Sequence, residues 1–246
     1  MVDSNATAFS FGSYPADLDV SGVVIPFDPA VITPAIRAAM EAGRYETEEA
    51  AALAAAVEPG DRVVEIGAGI GFISTLLARD RRVASVLAVE ANPHLLPYMA
   101  RLHACNRVRK VRRLNAVLAP GGSGTATFYL RRDFWMGSLA PGPNPWQATV
   151  EVPVRDLDAV LRDEAASLVV CDVEGAEAAL FAEADLAGVD RVLLELHDHV
   201  TGLSGVGAVF AALAARGLVY DPRHSAGSVV LFRRLRDPDV PRPYAG

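Results

Sequence analysis

The stretch "SLVVCDVEGAE", residues 167–177, runs from apolar residues into three acids, Asp172, Glu174 and Glu177. A second stretch, "VLLELHDH" at 192–199, ends on Glu195, His197, Asp198 and His199. Carboxylates and imidazoles at the ends of two apolar runs can move a proton or hold a cation. His197, with an ordinary pKa of about 6.5, suits removal of a proton near neutral pH. Asp172, Glu195 and His197 together also offer the oxygen and nitrogen ligands of an Mg²⁺-like ion. If "VLLELH" is extended, Glu195 and His197 share one face, and a buried Glu195 takes His197 as its partner. His197 is therefore the expected general base, oriented by Glu195 or Asp172. A cation on Asp172, Glu195 and His197 is the alternative.

A third stretch speaks to a nucleotide. "VVEIGAGIGF", residues 63–72, breaks an apolar run with Gly67, Gly69 and Gly71. A phosphate-binding loop needs Lys and then Ser or Thr after its last glycine, and Phe72 and Ile73 stand there instead. The dinucleotide fingerprint needs a third glycine at the position of Phe72, where close helix–strand packing leaves no room for a ring. S-adenosylmethionine (SAM) has an amino-acid end and no phosphate, and it suits a turn that passes close to Gly67 and Gly69. A purely structural strand–turn–helix remains the alternative on these residues alone. Glu90, about twenty residues on, ends the next strand, where a carboxylate meets ribose hydroxyls. Asn115 ends the third and is placed to read an adenine edge, although Asn is also a common turn residue.

These residues need a scaffold of strands that all end on one side. The order predicts one: strands at "RVVEIG", "VASVLAVE", "VRRLNAV", "SLVVCDVE" and "RVLLELH" alternate with helices. Asn92 is the expected N-cap of the helix "NPHLLPYMARLHACN", with Pro93 in its first turn. "RVRKVRR" at 107–113 reads as a strand with a solvated face. "GTATFYLRR" and "TVEVPV" are two extra strands around "APGPNPWQ". Phe134, Trp135 and Trp146 in that irregular stretch are the expected substrate walls. The last two strands, "GLVYD" and "SVVLFRR", are too close for a crossover helix and should be antiparallel. A doubly wound α/β sheet follows. Residues 1–44 read as a lead-in or cap, 45–236 as the main domain and 237–246 as a loose tail.

Composition narrows the partners. The 246 residues carry a net charge of −7, which disfavours nucleic acid and anionic membranes. "MVDSNATAFSFG" lacks the basic and apolar regions of a signal peptide, and no stretch reaches the roughly 18 apolar residues of a membrane helix. Cys105 and Cys171 are too few for a zinc cluster or a disulfide framework. A cytoplasmic setting is expected, and a homo-oligomer is compatible with all of this.

With "EIGAGIGF", "VEANP", "LNAVLAPG", "VPVRDLD" and "CDVEGAE" in this order, the chain resembles the FkbM-type SAM-dependent methyltransferases from about Tyr45 to His197. The resemblance implies the seven-stranded class I methyltransferase fold and O-methylation of hydroxyls on secondary metabolites or sugars. It also implies SAM contacts from Glu65, Gly67, Gly69, Glu90 and Asn115, with Tyr45 and Glu46 helping to close over it, and Asp172, at its strand end, is expected beside the SAM methyl. Glu174 would face the acceptor. Glu65 departs from the more frequent Asp but keeps a carboxylate. An NAD-type oxidoreductase and a non-catalytic ligand-binding protein are the competing readings.

Overall fold

The computed structural model describes residues 16–142 and 144–235. They open with a hairpin, β1 (Leu18–Val20) and β2 (Val23–Ile25), followed by α1 (Pro34–Glu41) and α2 (Thr47–Ala56). Two strand–helix units and a third strand come next: β3 (Asp61–Ile66) with α3 (Phe72–Arg79), β4 (Val83–Glu90) with α4 (Leu95–Cys105), and β5 (Val111–Asn115). An insertion of β6 (Val117–Ala119), β7 (Thr125–Leu130) and β8 (Ala148–Asp156) precedes α5 (Leu157–Glu164). The chain resumes with β9 (Leu168–Cys171), α6 (Glu177–Ala182), β10 (Arg191–Glu195) and α7 (Asp198–Ala215). It closes on β11 (Leu218–Tyr220) and β12 (Val229–Arg234).

Seven strands pair in the order β5-β4-β3-β9-β10-β12-β11. The five from β5 to β10 are parallel, and β12 runs antiparallel to both β10 and β11. The inner strands are near-continuous apolar runs because both their faces are buried. Successive residues therefore feed opposite layers. Val63, Val86 and Leu193 pack with α1 to α4, whereas Val64, Leu87, Val192 and Leu194 pack with α5 to α7. The chain moves outward from β3 through β4 to β5, then returns to β9 on the other side of β3. That reversal opens a crevice at the carboxyl ends of β3 and β9.

Beside the sheet, β8 pairs with β6 in parallel and with β7 antiparallel. This small sheet and the loop after β7 roof the crevice. The β1–β2 hairpin is part of the main core: Val20, Val23 and Ile25 are buried in the α1–α4 layer. Asn106 ties it there, accepting from the Val24 N–H and donating to the Val24 carbonyl. Residues 1–15 of the lead-in and the 237–246 tail lie outside the described residues.

Three local expectations are corrected. Asn92 does not cap α4; its carboxamide accepts from the His94 N–H in a turn, and the helix starts at Leu95. "RVRKVRR" is a strand only from Val111, because Asn106, Arg107 and Val108 close the end of α4 and Arg107 takes a left-handed backbone, φ 57°. Finally, α7 does have the length and apolar composition of a membrane span. Gly202, at φ 66° and ψ 176°, breaks it, and Val209 and Leu213 pack onto the sheet.

Candidate functional site

The turn after β3 holds all three glycines at positive φ: 86° at Gly67, 52° at Gly69 and 88° at Gly71. A Cβ on Gly67 would stand 1.6 Å from the Asp172 carbonyl oxygen, so only glycine lets the turns after β3 and β9 pack. Gly69 faces the crevice, where a Cβ would meet Phe134 at 3.5 Å. Its N–H donates to Glu90 Oε2 at 2.7 Å, and the Asn92 N–H donates to Glu90 Oε1 at 2.7 Å. Glu90 thus links the ends of β3 and β4 while lining the chamber. Burial pushes its carboxyl up to about 7.

The chamber extends from Gly67, Gly69 and Glu90 past Ala116 and Leu118 to Phe128, Phe134, Trp135 and Leu139. Phe134 and Trp135 line this chamber. Trp146 does not: it is half exposed and packs edge-on to Tyr129. Asn115 also departs from expectation. Its amide nitrogen donates to the carbonyls of Glu90 and Ala91, so it fastens β5 to the end of β4, and Ala116 to Ala119 line the chamber instead. Phe128 and Leu118 line it too, although the alternation along "TATFYL" places Phe128 inward without pointing to a ligand. Tyr45 is buried, stacked on Trp135 with centroids 6.1 Å apart and edge-on to Phe72 and Phe134. It reinforces the roof from behind, while Glu46 lines the chamber. Glu46 and Glu174 both hold left-handed backbones, φ 50° and 53°, a strain that surrounding structure must support.

Deeper under the glycine turn lies an acidic recess formed by Glu46, Glu49, Glu65, Asp172 and Glu195. Glu65 accepts the Ser74 N–H through Oε1, but its buried Oε2 has no hydrogen-bond partner, and neither has the enclosed Asp172 Oδ1. Burial raises the Glu65 carboxyl to about 8, with Glu90 and Asp172 adding to the effect against the Ser74 bonds. Burial and the charge of Glu195 likewise raise Asp172. Orphaned acceptors in an acidic recess fit cationic groups.

His197 follows β10 and is buried. Its Nδ1 lies 2.7 Å from Glu177 Oε1, and Glu177 is itself positioned by accepting the Gly175 N–H. The sequence points to Glu195 or Asp172 as the orienting group, but both lie on the other nitrogen. Nε2 is 3.4 Å from Asp172 Oδ1, 3.7 Å from Glu174 Oε2 and 3.9 Å from Glu195 Oε2. Glu195 takes its hydrogen bond from the Ser228 hydroxyl. Glu177 is the last acid of "DVEGAE", and only the turn at Gly175, φ 97°, brings it back under His197. Burial disfavours the imidazolium, yet Glu177 and the charges of Asp172 and Glu174 outweigh it and carry His197 up to about 9. Such an imidazole keeps its proton at neutral pH, so it cannot take another until that proton is displaced.

Residues 65–220 match the methyltransferase FkbM domain. That is most of the chain. It belongs to the FkbM methyltransferase family, and it is a SAM-dependent methyltransferase with the class I fold. No curated protein sequence matches it. Among solved structures, it is similar to TYW2 of M. jannaschii in complex with AdoMet, at 16% identity over 87% of this chain and 84% of that one, TM-score 0.46. It is similar to the FkbM methyltransferase of Methylobacillus flagellatus KT at 15% identity, over 71% of this chain and 43% of that one, TM-score 0.40. A third is the ribosomal protein L11 methylase of Lactobacillus delbrueckii subsp. bulgaricus, at 13% identity over 78% and 80%, TM-score 0.48.

The residues lining the site fit SAM. Glu90 would offer carboxylate acceptors to ribose hydroxyls, the Ala116–Ala119 segment an apolar bed for adenine, and the orphaned Glu65 Oε2 a seat for the ammonium. Gly69 leaves the approach open.

Proposed function

We propose that this methyltransferase transfers the methyl group to a hydroxyl oxygen of a small molecule. The observation that carries the reading is the joining of an aromatic chamber to the His197 cluster at one end of the sheet. SAM supplies an electrophilic methyl on its sulfonium. The protein's part is to hold an acceptor in line with that methyl at roughly 3–3.5 Å, exclude water and draw off the hydroxyl proton. Phe128, Phe134 and Trp135 give a flat, apolar acceptor its walls, and Asp172 and Glu174 face the same space. Acid groups beside the acceptor suit an alcohol that must lose a proton. They disfavour the anionic backbone of a nucleic acid, as does the net charge of −7.

A competition assay tests this. With methyl-labelled SAM, a panel of hydroxylated small molecules should accept label while tRNA and protein substrates should not. Label on tRNA or protein alone would overturn the reading. A non-catalytic binding role would appear as tight SAM binding with no transfer to any acceptor.

A further inference from the structure

We propose that Asp172, Glu195 and His197 bind a divalent cation of the Mg²⁺ or Mn²⁺ type. The proposal deepens the reading above, because the cation would sit where the acceptor hydroxyl must be activated. Three observations carry it. One ligand atom from each residue lies within 4.8 Å of the others, and His197 Nε2 is 3.4 and 3.9 Å from the two carboxylates. Neighbouring ligands of an octahedral ion bound at about 2.0–2.1 Å stand roughly 2.8–3.0 Å apart, so closing onto an ion shortens these separations by about 0.4–2 Å, shared between the two side chains of each pair.

The second observation concerns His197 itself. It is 4% exposed, and its Nδ1 is held by Glu177 at 2.7 Å. Nε2 is then turned to the carboxylates with no hydrogen bond of its own within normal geometry. Carboxylate on one ring nitrogen and cation on the other is how ligand histidines are held in metal sites. The third is charge. Asp172, Glu174, Glu177 and Glu195 crowd one imidazole, and His197 is the only cationic group within ion-pair distance of them among the described residues. The enclosed Asp172 Oδ1 has no hydrogen-bond donor. A cation would supply what these oxygens lack.

Three protein ligands on one side of a six-coordinate ion leave positions for water and for acceptor oxygen. An acceptor hydroxyl bound there loses its proton more readily, to a neighbouring carboxylate or to water. Imidazole plus two carboxylates suits Mn²⁺ as well as Mg²⁺, which makes Mn²⁺ the practical probe.

The test uses the full chain, stripped with EDTA, titrated with Mn²⁺ and followed by electron paramagnetic resonance, without SAM or acceptor. One Mn²⁺ should bind per chain. Glu195→Gln, at a partly exposed position that should tolerate the change, should weaken binding at least tenfold. Glu177→Gln, which touches only the far ring nitrogen, should weaken it by about 10–100-fold. Glu41→Gln, on the exposed face of α1, should bind Mn²⁺ as the wild type does. Absence of binding up to millimolar Mn²⁺, or equal binding by wild type and Glu195→Gln, would overturn the proposal. Hydroxyl methylation that persists in EDTA with no bound Mn²⁺ would refute the cation alone. Mn²⁺ binding with label transferred to tRNA or protein would instead refute the hydroxyl reading.

Discussion

At Glu90 one carboxylate serves both the fold and the ligand. It accepts the Gly69 and Asn92 N–H groups, one on each oxygen, while lining the chamber. Hydrogen bonds to a charged group contribute about 1.5–3 kcal/mol each. Glu90→Gln should therefore weaken SAM binding by on the order of ten- to a hundredfold, measured by calorimetry, and should also lower the melting temperature. Unchanged affinity would remove the ribose assignment. The protonation of this acid gives a second expectation. With Glu90 at about 7 and Glu65 at about 8, both carry protons that ribose hydroxyls and an ammonium group do not favour. SAM affinity should rise from pH 6 to pH 7.5, with proton release visible as a buffer-dependent binding enthalpy. The acids themselves were legible in the sequence from their place after apolar runs. Their partners were not, because Asn115 turning back to the Glu90 and Ala91 carbonyls and Glu177 reaching under His197 depend on turns whose direction single residues do not announce.

The elements explain why these groups meet. Gly67 lets the turn after β3 lie against the Asp172 carbonyl, while Gly69 faces open space beside Phe134. Gly67→Ala should consequently be the more damaging change, since the added Cβ collides with backbone that cannot move aside. Gly69→Ala should cost chiefly its left-handed strain, of order 1 kcal/mol or more. Thermal melting of the two variants checks this, and equal losses would contradict it. The inner parallel strands were readable because both their faces are buried and so spelled in near-continuous apolar runs such as "LVVC", whereas β5, at the sheet edge, exposes Arg112 and Arg113. The β1–β2 hairpin and β6 were not, being three residues each and held by neighbours: Asn106 for the hairpin, β8 for β6. Trp146 shows the same limit. An aromatic in an irregular loop can face a ligand or a strand, and here Tyr129 took it.

Over the whole molecule, the site concentrates negative charge that the fold itself does not neutralise. For Glu65 and Glu90 the folded pKa lies above the ordinary carboxylate value, the reverse of a salt-bridged acid. Between about pH 4.5 and 8 the folded chain therefore binds more protons than the unfolded chain, and its stability falls as pH rises through that window. The ligand-free protein should melt at a lower temperature at pH 8 than at pH 5.5, Glu65→Gln should flatten that slope, and SAM should raise the melting point most at the higher pH. A ligand-free melting point that climbs from pH 5.5 to 8 would show that these acids are not held as described. The central claim, that the glycine turn and the His197 cluster form one site for methylating oxygen, is tested most directly by locating the transferred methyl. Carbon-13 methyl-labelled SAM should yield a product whose labelled carbon is bonded to oxygen of a small molecule. Labelled carbon on nitrogen, on tRNA or on protein would contradict the account.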